Sequence, residues 1–277
     1  MPRTLLYVAQ AGILTTSNLS VVDPCSGAVV PGGVIGPIGR AITGLALHPG
    51  TGVLYGGTSR QSAVDPNSLI TINRISGAGT LVGRYHDPLD PNSLPASASL
   101  TDLTFRDGIL YGWSVENVNR TGNIYTVNLL SGKATIVGKS FLGFTRGGAL
   151  SANSAGTLFL SEERSSGPLR TVDPATGITT IVGTLNGDVD RNMKAFSFDQ
   201  CNNLYGVMGR LDDGGGGDGN GILVTVNTVP VAGINQIRRI GTLRDANGPL
   251  PYVDAIATFQ YCPPCRHHRH RCCHRHQ

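Results

Sequence analysis

Cysteine and histidine crowd the last sixteen residues of the chain, CPPCRHHRHRCCHRHQ at 262–277. This segment holds four of the six cysteines and five of the seven histidines. Thiolate and imidazole are the ligands that Zn²⁺, Cu⁺ and Ni²⁺ prefer, and the two-residue gap of the first cysteine pair lets both sulfurs reach one ion. We therefore predict a transition-metal site in this tail with these ligands: Cys262, Cys265, His267, His268, His270, Cys272, Cys273, His274 and His276.

Two other interpretations of the tail stay open. It carries four arginines and no acid, which is also typical of a disordered polycationic segment. Adjacent cysteines, such as Cys272 and Cys273, pair with each other only through a strained ring, so they favour separate partners and the tail can serve as a disulfide cross-link. A haem attachment site is excluded, because Arg266 stands where that motif needs histidine.

Acidic residues in two glycine-containing segments are candidates for a second metal. The segments are NGDVDRN at 186–192 and LDDGGGGDGNG at 211–221. Their carboxylates are hard oxygen ligands of the kind that Ca²⁺ takes, although the spacing matches neither an EF-hand nor a repeat-in-toxin loop. The alternative is a solvated glycine-rich loop. The candidate calcium ligands are Asp188, Asp190, Asp212, Asp213 and Asp218.

A repeated phrase indicates which elements position these residues. An apolar segment that ends in Asn or Asp, a turn with glycine and a β-branched segment that usually closes on Val-Gly or Ile-Gly recur five times. The closing Asx residues are Asp23, Asn73, Asn128, Asp173 and Asn227. Their separations of 50, 55, 45 and 54 residues equal one four-stranded propeller blade with its loops. Between copies lies a small-and-apolar strand followed by Leu-Tyr-Gly or a near relative, so the prediction is an all-β fold.

The two ends of the chain look like halves of one unit. TLLYVAQ at 4–10 matches the Leu-Tyr-Gly strand without the strand that should precede it, and VDAIATFQY at 253–261 matches that missing strand. We therefore predict a five-bladed β-propeller over residues 1–261, closed by pairing of the N- and C-terminal strands, with the short tail 262–277 outside it.

The repeats resemble bacterial propeller repeats of the YVTN and NHL type, and an uncharacterised bacterial propeller domain with Leu-Tyr-Gly and Asp-Pro-Ala-Thr-Gly signatures. The resemblance covers about residues 4–260 and is carried by LYG at 54–56, 110–112 and 204–206 and by DPATG at 173–177. It implies that GLAL, DLTF, GAL, AFSF and AIATF form the inner strands around the axis. Propellers host binding proteins, scaffolds and enzymes alike, so the resemblance implies no catalytic residue.

This strand order divides the predicted loops between two faces. Short turns share one face, with Cys25 and Cys201 in two of them, and the tail leaves from that side. The long loops share the opposite face, where Asp102, Lys194 and Asp254 are expected to line the mouth of the central channel as a ligand-binding site. The competing interpretation is that these three residues only solvate the channel.

Charge and hydropathy limit the partners. Four of the 22 Lys and Arg residues lie in the tail, which leaves 18 against 18 acidic residues in the body. A neutral body with 6% aromatic residues does not favour nucleic-acid binding. No apolar run reaches the roughly 18 residues that cross a bilayer. No signal peptide is recognised, so the expected location is the cytoplasm or a surface assembly reached by a non-classical export route.

Two functional classes follow. The first is a non-enzymatic scaffold or surface-assembly protein, whose tail binds a transition metal or cross-links, with self-association or another surface protein as the partner. The second is a propeller enzyme of hydrolase or lyase type with a divalent cation at the channel mouth. Only His48 and His86 lie outside the tail, and no GxSxG, phosphate-loop or HExxH motif is present.

Overall fold

The computed structural model describes residues 4–10, 16–115, 121–144, 148–162, 167–186, 191–210 and 220–259. This part of the chain contains 22 β-strands and no helix, which confirms the all-β prediction. The first eleven strands are β1 (Leu5–Gln10), β2 (Asn18–Val22), β3 (Val29–Pro37), β4 (Ile42–Leu47), β5 (Leu54–Thr58), β6 (Ser68–Ile72), β7 (Gly79–Arg84), β8 (Ser99–Arg106), β9 (Ile109–Val115), β10 (Thr121–Val127) and β11 (Ala134–Phe144). The others are β12 (Gly148–Ala152), β13 (Leu158–Glu162), β14 (Pro168–Val172), β15 (Thr179–Asn186), β16 (Arg191–Phe198), β17 (Leu204–Arg210), β18 (Ile222–Val226), β19 (Ile234–Thr242), β20 (Arg244–Asp245), β21 (Gly248–Pro249) and β22 (Val253–Phe259).

The strands form antiparallel groups of four that follow the sequence repeat. Three four-stranded sheets have the orders β22-β1-β2-β3, β4-β5-β6-β7 and β8-β9-β10-β11. Two further groups, β12 to β15 and β16 to β19, join through parallel pairing of β15 with β19 into one eight-stranded sheet. The sequence repeat did not predict this junction, because it arises from the longer turn before β19, in which Gly233 accepts a hydrogen bond from the Thr184 amide (2.9 Å).

The ends of the chain pair as predicted. β1 lies between β22 and β2, with Leu5 opposite Phe259 and Val8 opposite Ile256. The first strand of the chain therefore completes a sheet whose inner strand is the last one. This pairing ties the described N-terminal strand to residues about 250 positions later in the sequence.

The innermost strands contact one another in a closed cycle. β4 contacts β8, β8 contacts β12, β12 contacts β16, β16 contacts β22, and β22 contacts β4. They surround a central axis and run in one direction, towards the side that we call the turn face. This face carries the short turns that follow the inner strands and the Asx-Gly turns of the repeat. The apolar residues of neighbouring sheets form the core between them, and Leu45, Leu54 and Leu103 are buried there.

The glycine of the repeated Val-Gly or Ile-Gly pair has a packing role. It lies in an outer strand, where a Cβ atom would collide with the backbone of the Asx-Gly turn in the next group. The contacts join Gly36 to Ser76, Gly83 to Ser131, Gly138 to Thr176, Gly183 to Gly233 and Gly241 to Ser26. The last of these returns from the end of the chain to its beginning, so the glycine contacts close a cycle at the outer edge.

Membrane-spanning helices are absent from the residues that the structure describes.

We predict that Gly83→Ala destabilises the fold while Gly50→Ala does not. A methyl group on Gly83 would overlap the carbonyl oxygen of Ser131, whereas the same group on Gly50 would meet only the His48 ring at 3.4 Å. Overpacking of this kind costs about 1–3 kcal/mol of unfolding free energy, against about 0.5 kcal/mol or less at a tolerant surface site. Urea denaturation followed by fluorescence of the single tryptophan, Trp113, measures both. Equal stability of the two variants would contradict the packing role of Gly83.

Candidate functional site

Asp102 lies at the centre of the ring of inner strands. Its side chain is fully buried and accepts three backbone hydrogen bonds. Oδ1 accepts from the amide of Leu103 (2.9 Å), and Oδ2 accepts from the amides of Leu150 (2.9 Å) and Phe196 (3.1 Å). These amides belong to β8, β12 and β16, so one carboxyl group joins three inner strands. The structure thus places Asp102 inside the channel and not on its exposed rim.

The other inner strands have small residues at the position of Asp102. The strand registers align it with Gly44, Ala149, Ala195 and Ala255. At Gly44 a Cβ atom would lie 2.9 Å from the Cα of Asp102, so a larger residue there would push the two strands apart. The small residues leave the space that the carboxyl group needs to reach across the axis.

The environment of Asp102 acts on its pKa in two opposing ways. Burial raises the pKa of this carboxyl well above its ordinary value, and the three amide hydrogen bonds lower it by a smaller amount. The folded protein therefore holds the Asp102 proton more tightly than the unfolded chain does. With all three amides directed at its oxygens, the side chain acts as an internal hydrogen-bond acceptor.

Hydroxyl groups repeat the same arrangement nearer the turn face. Thr104 accepts a hydrogen bond from the amide of Ala152 (3.1 Å), and Ser151 accepts one from the amide of Phe198 (3.0 Å). Ser197 accepts from the amide of Thr258 (2.8 Å). Each hydroxyl thus joins its strand to the next inner strand. Sequence reasoning missed this series, although a Ser or Thr at the third or fourth position of DLTF, GALS and AFSF was the available signal.

Lys194 and Asp254 occupy a different position from Asp102. Each is the extra residue of a β-bulge in its inner strand, and Thr43 and Thr101 occupy the same position in β4 and β8. Bulges re-aim side chains at the rims of such rings. The Thr43 hydroxyl donates to the carbonyl of Leu100 at 2.7 Å. Lys194 and Asp254 thus hold equivalent positions in their strands, and both their place at the channel mouth and ligand binding there stay predictions.

Glu162 and Arg170 form a buried ion pair that sequence reasoning did not single out. The Arg170 Nε lies 3.3 Å from the Glu162 Oε1, and the side chains are 16% and 6% exposed. A buried pair of this kind gives weak support to stability, because desolvation offsets the attraction between the charges. Glu162 ends β13 on the long-loop side, and Arg170 lies in the neighbouring strand β14.

Neither described histidine is arranged as a metal ligand with partners. The Nδ1 of His48 accepts hydrogen bonds from the amides of Gly50 (3.0 Å) and Thr51 (3.1 Å), so the ring caps its own turn and carries its proton on Nε2. The Nδ1 of His86 lies 2.9 Å from the carbonyl of Leu94. Across the described ranges, no group of three or more His, Cys, Asp or Glu side chains lies close enough together to hold a metal.

The described cysteines lie on the turn face. Cys25 is exposed in the turn that follows β2, and Cys201 is half-buried in the turn that follows β16. The predicted tail ligands at 262–277 and the five candidate calcium ligands lie outside the described residues.

Comparison with known proteins defines the fold class. No family model matches the chain, and no curated protein matches it. Among solved structures, a chain of a nidogen–laminin complex is 12% identical, with a TM-score of 0.54, and the match covers 92% of this chain and 98% of that one. The exo-β-1,3-galactanase 1,3Gal43A from Clostridium thermocellum is 13% identical, with a TM-score of 0.51 over 72% of this chain and 50% of that one. The chain is therefore a β-propeller protein, and identities this low show the fold alone.

We predict that Asp102 makes stability fall as pH rises. A group whose pKa is raised by folding stabilises the protein fully below its unfolded pKa, about 3.9 for Asp, and loses that contribution as pH rises through the folded value. Asp102→Asn lacks this titration and also turns an N–H donor towards backbone donors, which costs about 1–3 kcal/mol. Urea denaturation from about pH 4 to 8 should show the advantage of the wild type over Asp102→Asn shrinking. An advantage that grows with pH would contradict the raised pKa.

Proposed function

We propose that this propeller has five blades and acts as a non-enzymatic scaffold or surface-assembly protein, whose tail at 262–277 makes metal-mediated or disulfide contacts. The five-blade count is supported by two closed cycles, the contacts between the five inner strands and the five contacts between outer glycines and neighbouring turns. A rigid ring of this kind can present a reactive segment at a defined place.

The observation that carries the proposal is the anchorage of the last described residues. The Phe259 ring stacks on Tyr7 with 4.2 Å between centroids, and the Arg74 guanidinium lies 5.9 Å from the Phe259 ring. Arg74 also donates from Nε to the Tyr7 hydroxyl (2.9 Å) and from Nη1 to the carbonyl of Gly52 (3.0 Å). β22 therefore ends at a fixed point on the turn face.

This anchorage limits where the first tail ligands can lie. Cys262 follows Phe259 by three residues, and a fully extended chain of that length reaches about 10 Å. This short reach is why we propose that the Cys262 thiol acts on the turn face, on the side where Cys25 is exposed. An ion or a partner molecule held by the tail would be presented on this face.

The number of tail ligands favours assembly. A structural zinc ion takes about four ligands, and the tail offers nine Cys and His side chains. Ligands in excess can complete a site with a second copy of the chain or with another surface protein, and the adjacent Cys272 and Cys273 can oxidise between chains.

The alternative is a propeller enzyme with a divalent cation at the channel mouth. The observation in its favour is the pair of bulged residues, Lys194 and Asp254, at that mouth. The acidic segments around 186–192 and 211–221 belong to the same proposal as calcium ligands. A divalent cation bound by residues 1–261 alone, without the tail, would favour this second function.

We predict that the full chain binds Zn²⁺ or Cu⁺ and that residues 1–261 alone do not. Metal per protein, measured by elemental analysis after dialysis, should fall to background when the tail cysteines become serine and its histidines alanine. Binding should weaken below about pH 6, where imidazoles protonate. Light scattering of the same samples should show a larger mass with metal than with chelator and reductant.

The matched control replaces the four tail arginines with glutamine, which removes the charge and keeps every ligand. This variant should take up as much metal as the wild type, as should Cys25→Ser. Equal uptake by residues 1–261 would overturn the tail site, and uptake that disappears with the arginines would favour a polycationic tail. A single monomer mass in metal, in chelator, and in chelator with reductant would exclude tail-mediated assembly.

A further inference from the structure

The channel contains a level at which three inner strands direct a backbone amide towards the axis. At this level Leu103 pairs with Gly112, Leu150 with Leu160 and Phe196 with Gly206. Leu45, opposite Gly56, and Ile256, opposite Val8, occupy the equivalent positions. In a strand whose one edge is paired, alternate amides point away from the partner strand. The amides of Leu103, Leu150 and Phe196 do so and meet the Asp102 carboxyl group.

In all but one inner strand, the residue that precedes the one with this amide has a small side chain, so it leaves the space on the axis open. Gly44, Ala149, Ala195 and Ala255 have no side chain long enough to reach a neighbouring strand. Only Asp102 extends into the space, and it contributes two acceptor oxygens. Converging backbone N–H groups form a site for anions and for carboxyl oxygens, as in other backbone nests.

We propose that the axis of this propeller is a backbone carboxyl-binding site, formed by amides of three inner strands and occupied by the carboxyl group of Asp102, which a small carboxyl compound such as formate occupies when that group is removed. The ligand class follows from the geometry. Three donors, one directed at one oxygen and two at the other, require a group with two acceptor oxygens. Size restricts the class further, because the space freed by Asp102→Ala is that of one carboxyl group.

The experiment compares thermal unfolding of the wild type, Asp102→Ala and Thr104→Ala in sodium formate, sodium chloride and formamide. Thr104→Ala is the matched control, because it also removes one acceptor for a backbone amide on the axis, that of Ala152, and leaves Asp102 in place. Salts act on stability in general, so each shift is taken relative to the wild type in the same solution.

We expect Asp102→Ala to unfold about 4 °C or more below the wild type in chloride. Formate should raise the unfolding midpoint of Asp102→Ala in proportion to the logarithm of the formate concentration, as a ligand bound only by the folded state does. Formamide should not replace formate, because it has an NH₂ donor where formate has its second oxygen. Neither the wild type nor Thr104→Ala should respond to formate, since their axial site already holds Asp102.

Three outcomes would overturn the proposal. Asp102→Ala as stable as the wild type in chloride would show that the amides do not depend on the carboxyl group. An equal rise of the unfolding midpoint in formate for all three proteins would show that formate acts as a general salt and not as a ligand of this site. If Asp102→Ala does not fold in chloride, the yield of folded protein on refolding into formate replaces the midpoint. No recovery there, while Thr104→Ala refolds, would contradict the site.

Discussion

The carboxyl group of Asp102 accepts amide hydrogen bonds from three of the inner strands, and the central ring depends on this contact. Inner strands have one edge paired and one edge directed at the axis, so their amides need acceptors that a sheet cannot supply. Asp102 supplies them at one level for β8, β12 and β16. The hydroxyls of Thr104, Ser151 and Ser197 supply them one step nearer the turn face. Two sets of small residues let the strands pack closely around the axis. They are Gly44 with its equivalents in the other inner strands, and the outer-strand glycines that contact neighbouring turns.

Much of this fold could be predicted from local repetition. The recurring Asx-Gly turns and Leu-Tyr-Gly strands predicted the groups of four strands, and the incomplete phrases at residues 4–10 and 253–261 predicted the pairing of β1 with β22. Repetition works here because each unit forms the same hairpins, so similar local sequences report similar local structures. The role of the Val-Gly pair was not predictable, since the glycine packs against a turn of the next strand group and not against residues nearby in the sequence.

The polar site was harder to predict than the fold. Asp102 in the phrase DLTF suggests a residue directed at solvent, because carboxylates are seldom fully buried unless paired. Its burial depends on small residues in four other strands and on amides from two of them, which no local pattern contains. For Lys194 and Asp254 the mouth of the channel stays a prediction, and the bulge position that they share with Thr43 and Thr101 became visible only in the strand registers.

The polar groups on the axis and the reactive groups on the turn face have different roles. The polar groups on the axis bind the protein's own backbone, while the exposed Cys25 lies on the turn face, where Phe259 is held by Tyr7 and Arg74. The most direct measurement of the central claim is hydrogen exchange at the amides of Leu150 and Phe196 in the wild-type protein. If Asp102 accepts both, these amides should exchange only through global unfolding, with a free energy close to that of the whole protein. Exchange as fast as that of exposed turn amides would contradict the account.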